Sequence, residues 1–209
     1  VSTVTLSSEA SNVSNGTGGL FGSASTLIAL TWIQDLYFFL LAGVGVGWLS
    51  RRSLAATFRR LGLAVPSWRQ VGLGVFLGLA MIPLVFLLTT AAQWLGIPQN
   101  ADVEKISQAL VGPLTQSVVG ILTLGLAAAL GEEAVFRGAL QPRFGLVVTA
   151  LLFAAMHGQY ALSVSTLVVV ILGLVLGVVR QRTNTSTSMI VHAVYNASLG
   201  LLAYLNIMK

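Results

Sequence analysis

Long apolar runs, each about as long as a helix that crosses a bilayer, constrain this chain more than any other feature. A helical span needs roughly 20 residues to cover about 30 Å of hydrocarbon. Six segments reach or approach that length, at about 26–49, 71–95, 113–140, 143–161, 163–180 and 188–207. The runs are continuous rather than alternating. Closed sheets, the other structure that can cross a bilayer, therefore do not fit, and the expected fold class is all-α, a polytopic transmembrane helix bundle of about six spans.

Composition agrees. The chain is 56% hydrophobic and 8% charged, where a soluble domain carries about 25% charged residues. The net charge of +5 is no sign of nucleic acid, because the basic residues fall between apolar runs, where topology accounts for them. Alternating six spans gives one side Arg51, Arg52, Arg59, Arg60, Arg69, Arg137, Arg143, Arg180 and Arg182, and the other only Lys105 and Lys209. The first side is expected to be cytoplasmic, and a plasma-membrane protein with its site towards that side is the localisation read from this pattern. With no cysteine, disulfides, thiolate metal sites and a thiol nucleophile are excluded.

Residues 1–24 are rich in Ser, Thr, Asn and Gly and read as a disordered N-terminal tail. Residues 25–112 hold N-terminal transmembrane helices and amphipathic connections, and residues 113–209 form a third unit. Between the first two spans, residues 51–70 place Leu54, Phe58 and Leu61 at helical spacing among five arginines. This is either a short amphipathic segment on the membrane surface or a solvated basic loop. Gly173 and Gly177 form a small-xxx-small face suited to close helix contact. Thr183–Ser188 has no neighbouring base that would activate a serine, and is expected to cap the last helix.

Against this apolar background, "AALGEEAVFRGALQP" at 128–142 puts Glu132, Glu133 and Arg137 inside a span. An ionised side chain near mid-bilayer costs about 2.5–3.5 kcal/mol on insertion scales. Arg137 follows Glu133 by four residues, the favourable order for a helical ion pair. Glu132, rotated about 100° around the helix, has no partner in its own helix. The only two histidines, His157 and His192, also fall in apolar runs, and Asn196 shares a helical face with His192. If the chain turns at Gln141-Pro142, Glu132 lies about 14 Å and His157 about 22 Å from the turn. Glu132, His157, His192 and Asn196 are then expected to meet in the cytoplasmic half of the bundle. Asp35, also in a span, is assigned no role.

A glutamate and a histidine around one water can take its proton and direct it at a carbonyl. A second histidine and an asparagine amide can donate to the oxyanion that forms. The small residues Gly125, Ala128 and Ala129 are expected to leave room for water or substrate backbone. This chemistry requires no cofactor. The alternative is a divalent metal such as zinc held by Glu132, His157 and His192, although the HExxH helix of common zinc proteases is absent.

"EEAVFR" resembles the EExxxR motif, "FAAMH" the FxxxH motif and "HAVYN" the HxxxN motif of the CPBP intramembrane proteases. That family includes type II CAAX prenyl endopeptidases and Abi-type proteins. The resemblance covers roughly residues 113–207 and implies a four-helix catalytic core. It implies that Glu132 and His157 activate water, that His192 and Asn196 form the oxyanion site, that Glu133 and Arg137 support the helix, and that Phe153 packs near the site. The implied function is an intramembrane endopeptidase, glutamic or metallo in type, acting on a membrane-associated or lipidated peptide, with CAAX processing as one form. The alternative is a non-enzymatic membrane immunity or partner protein with a structural polar cluster. A proton-coupled transporter ranks lower, since neither inverted repeats nor broken helices are visible in the sequence.

Overall fold

The structure, a computed structural model, describes residues 23–97 and 100–207. The reading of 1–24 as a tail, Ser23 and Ala24 apart, lies outside the described residues, as does Lys209. The described chain is helical: α1 Ala24–Gly45, α2 Leu54–Leu61, α3 Trp68–Trp94, α4 Ala101–Val111, α5 Val118–Glu133, a π-helical segment Ala134–Leu140, α6 Gln141–Met156, α7 Val164–Arg182 and α8 Thr185–Tyr204, with 3₁₀ turns at Leu114–Gln116 and Gly158–Tyr160. Short polar residues set most of the starts. Ser23, Ser53, Ser67, Asn100, Ser117 and Asn184 each accept a hydrogen bond from a first-turn N–H. Asn184 thus delivers the expected cap on α8.

Four elements among the described residues are long and apolar enough to cross a membrane: Ala24–Gly45, Trp68–Trp94, Val118–Met156 and Val164–Arg182. The third is not one rod. Gly145 has φ 76° and ψ 178°, in the left-handed half of backbone space that glycine enters without penalty. The Phe136 and Phe153 rings stand 5.1 Å apart, whereas a continuous helix would separate seventeen residues by about 25 Å. The chain therefore doubles back at Gly145. This corrects the turn expected at Gln141-Pro142: both residues lie in the helical run, and the Gln141 side chain is spent on the Gly177 carbonyl at 2.8 Å. From Gly145, Glu132 and His157 are about 20 Å and about 18 Å away along their helices, so the depth mismatch of the sequence estimate disappears.

The bundle is built around α8, which packs against α3, α5 and α7, while α1 lies on α5 and the π segment and α6 on α7. Gly173 meets Ala150 and Gly177 meets Gln141, with Cβ-position distances of 3.2 Å to each. The small-xxx-small face is therefore where α7 and α6 approach. Gly125 is used the same way, its open side 2.8 Å from the Ala193 carbonyl of α8, and Ala129 is buried. Gly125 thus closes the α5–α8 contact, where the sequence reading expected it to leave room for water. Residues 54–61 of the basic connection form the short helix α2, with Thr57 and Leu61 buried. Leu54, Phe58, Val65 and Trp68 are exposed, as an interfacial segment requires.

Candidate active site

The site is assembled where α5 gives way to the π segment. A π turn widens the helix by one residue and occurs frequently at functional sites. It begins directly after Glu133. Glu133 and Arg137 keep the expected pairing, Arg137 Nε to Glu133 Oε2 at 3.3 Å, with side chains 0% and 1% exposed. Arg137 is thus an interior residue and leaves the set of interfacial arginines used for topology. It also donates to the Gly173 carbonyl at 3.3 Å, and its guanidinium carbon lies 4.3 Å from the centre of the Phe153 ring, a cation–π distance. Phe153 also packs on both imidazoles, at 4.8 Å from His157 and 6.0 Å from His192. It is the apolar floor of the site.

His157 is not inside a span as expected. It ends α6 and caps it. Its Nδ1 lies 2.9 Å from the Phe153 carbonyl oxygen. A carbonyl only accepts, so Nδ1 carries the proton and Nε2 the lone pair. His192 is oriented by a different partner, Nδ1 donating to Glu133 Oε1 at 3.0 Å. Its Nε2 is likewise left free. Both Nε2 atoms point to one atom: His157 Nε2 and His192 Nε2 each lie 4.0 Å from Glu132 Oε2. That oxygen is buried and has no hydrogen-bond partner. Three acceptor atoms at such separations suit a small donor between them, and a water has two protons to give.

The structure thus brings Glu132, His157 and His192 together, with Glu133, Arg137 and Phe153 behind them. Asn196 stands one turn further along α8, where its amide donates to the Leu124 carbonyl at 3.2 Å. That leaves one amide hydrogen. Among the described residues no group of three His, Cys, Asp or Glu is arranged to hold a metal ion.

A cavity of about 300 Å³ adjoins Glu132 and His157. Its walls include Gln34 and Phe38 of α1, Leu110 of α4, Met156 and Gln159. Gln34 and Met156 are exposed, so the cavity opens laterally between α1 and the end of α6. Gln34, Phe38 and Leu110 are absent from the sequence reading because α1 and α4 carry no motif. Asp35, to which the sequence alone assigns no role, lies close by. It is 2% exposed, its Oδ1 has no partner, and its backbone is pressed against Gly131, next to Glu132. An acid in an apolar span was the signal available for it. Trp32 Nε1 donates to Thr123 Oγ1 at 3.1 Å and fixes this stretch of α1 on α5. Tyr160 stacks on the His157 ring at 6.0 Å and 12°. Burial holds its phenol above the ordinary value, so it remains a neutral hydroxyl.

These features define an all-helical integral membrane protein with a partly buried carboxylate–imidazole site beside a lateral cavity. Residues 114–198 match the family model described as Rce1-like, type II CAAX prenyl endopeptidase Rce1-like. The match is consistent with the CPBP family to which the three motifs pointed and contains every candidate residue from Glu132 to Asn196. It supports a membrane protease of the CAAX type in general. No curated protein and no solved structure matches the chain.

Proposed function

We propose that this protein is an intramembrane endopeptidase that hydrolyses a peptide bond of a membrane-associated substrate with a water activated by Glu132 and His157. The observation that carries the reading is the convergence of two imidazole Nε2 atoms on the unpartnered Glu132 Oε2, each at 4.0 Å. A water held among them attacks the scissile carbonyl carbon and gives a proton to Glu132, assisted by His157. The carbonyl oxygen becomes an oxyanion. The remaining amide hydrogen of Asn196 donates to it, and so does His192 in its imidazolium form, which Glu133 balances at Nδ1; in that form only Glu132 and His157 accept from the water. Glu132 then returns the proton to the leaving nitrogen as the C–N bond breaks. No metal is required in this scheme.

The substrate reaches the site laterally, through the gap between α1 and α6, and a lipidated C-terminal peptide of CAAX type suits a mouth that faces lipid. About six passes are retained, the two arms around Gly145 counting separately and α8 supplying the last. The arginine-rich end is assigned to the cytoplasm of a plasma-membrane protein. The cavity runs from Glu132 towards Leu110 and Gln159, at the other end of the bundle. This favours a mouth away from the cytoplasmic face, unlike the placement read from the sequence.

The test is a comparison of membrane proteomes from cells carrying wild type, Glu132→Ala or His157→Ala. A terminal peptide present only with wild type is expected, and its formation by the purified enzyme should survive a chelator. Equal cleavage by either variant refutes the assigned roles, and loss on chelation with recovery on zinc refutes the metal-free scheme.

A further inference from the structure

At the arginine-rich end, α2 finishes in Gly62, whose φ of +72° puts it in the left-handed region. The Arg180 guanidinium at the end of α7 lies flat on this glycine. A Cβ there would stand 2.5 Å from Nη2, 2.7 Å from Cζ and 2.9 Å from Nε. The turn is anchored from below by α8: Thr185 Oγ1 donates to the Leu61 carbonyl at 2.6 Å and Thr185 N–H to the Gly62 carbonyl at 3.0 Å. The arrangement is therefore fixed by buried contacts and does not depend on surface side chains alone.

Two features of this corner are unbalanced. Arg180 Nε is buried and has no hydrogen-bond partner. Arg60, two residues before the glycine on which Arg180 lies, brings a second positive charge to the same corner. Arg60 spends one donor on the Gly138 carbonyl at 3.2 Å and keeps the rest. Among the described residues no carboxylate compensates. The chain has six acids, and among the described ones Asp35, Glu132 and Glu133 belong to the interior site, while Asp102 and Glu104 sit on α4 at the opposite end. Neither Arg60 nor Arg180 has an ion-pair partner among the described residues. Two adjacent guanidinium forks with spare donors are the recognition chemistry of a phosphate group, which accepts from them bidentately.

We propose that Arg60 and Arg180 form a binding site for an anionic phosphate group, supplied by the headgroup of an anionic membrane lipid. The lipid source follows from position. Phe58, Val65 and Trp68 are exposed on the same connection, Val65 at 96% and Trp68 at 89%, and apolar side chains beside basic ones suit the headgroup–acyl boundary. This inference does not depend on the hydrolytic reading.

The test is thermal unfolding of the full chain in an uncharged detergent, with phosphatidylglycerol, phosphatidylcholine or inorganic phosphate added separately. Phosphatidylglycerol near saturation is expected to raise Tm by about 5 °C, and phosphatidylcholine by less. Arg60→Gln and Arg180→Gln should each lose most of the rise, and Arg69→Gln, which removes an exposed arginine further along the same connection, should keep it. An equal rise with inorganic phosphate would keep the site but make its ligand a soluble anion. Equal rises in wild type and both Gln variants, or an equal loss in Arg69→Gln, overturn the site. Should the Gln variants fail to fold, Arg60→Lys and Arg180→Lys retain charge without the fork. A weakened rise in them supports the site, and an undiminished one rejects it.

Discussion

His192 Nδ1 donates to Glu133 Oε1 at 3.0 Å across 59 residues of chain, and this contact divides the work between two adjacent glutamates. Glu133 is fully buried and engaged on both sides, by Arg137 and by His192. Glu132 makes no direct hydrogen bond through Oε2 and faces the cavity. One carboxylate holds the site together and the other is free to act on a reactant.

That division predicts opposite outcomes for the same substitution at neighbouring positions. Glu133→Gln leaves Arg137 charged, buried and without its counter-ion, which costs about 3–5 kcal/mol when a buried pair is broken. A large fall in Tm in detergent is expected. Glu132→Gln breaks no direct contact of that kind and should unfold near the wild-type temperature while losing about 10²-fold or more in cleavage rate. Equal losses of stability in the two variants would contradict the division.

Asp35 is buried with an unpartnered oxygen and forms no ion pair among the described residues. Removing a buried carboxyl group that lacks a partner relieves a desolvation penalty. Asp35→Asn is therefore expected to keep or raise Tm, the reverse of Glu133→Gln. A fall of similar size would mean that Asp35 has a partner whose loss matters.

Gly131→Ala tests the seat of α1. The added methyl would stand 2.6 Å from the Asp35 carbonyl oxygen and 2.7 Å from its Cα, and both belong to backbone that cannot swing aside. Overpacking of this kind costs about 1–3 kcal/mol. Lower Tm and reduced cleavage are expected together, because α1 also supplies Gln34 and Phe38 to the cavity wall. Unchanged values for both would show that α1 is free to shift.

The absence of cysteine allows a direct test of orientation. In intact cells, a membrane-impermeant maleimide should label Gln159→Cys and spare Arg182→Cys, if the cavity end faces outward and the arginine-rich end the cytoplasm. The opposite pattern reverses the proposed topology.

Much of the site was legible because lipid makes every charge conspicuous. Glu132, Glu133, Arg137, His157 and His192 could be named from the cost of burying them, and the Glu133–Arg137 pair from helical spacing alone. Asp35 was equally visible but had no partner at helical spacing, so nothing in the sequence tied it to the others. The Gly145 reversal was misplaced to Pro142, since proline is the stronger helix-stop signal. Following the π segment, Pro142 is accommodated, and the glycine's positive φ turns the chain instead.

The sequence by itself determined which residues cannot face lipid unpaired and which stretches must be helices, because both follow from desolvation and backbone hydrogen bonding within one segment. Only the tertiary structure decided that Glu133 and not Glu132 binds His192, that both free imidazole nitrogens aim at Glu132, and that α1 and α4 wall the cavity. Those outcomes depend on helix rotation and approach, and small residues such as Gly125, Gly131 and Gly173 set these through contacts between segments distant in the chain.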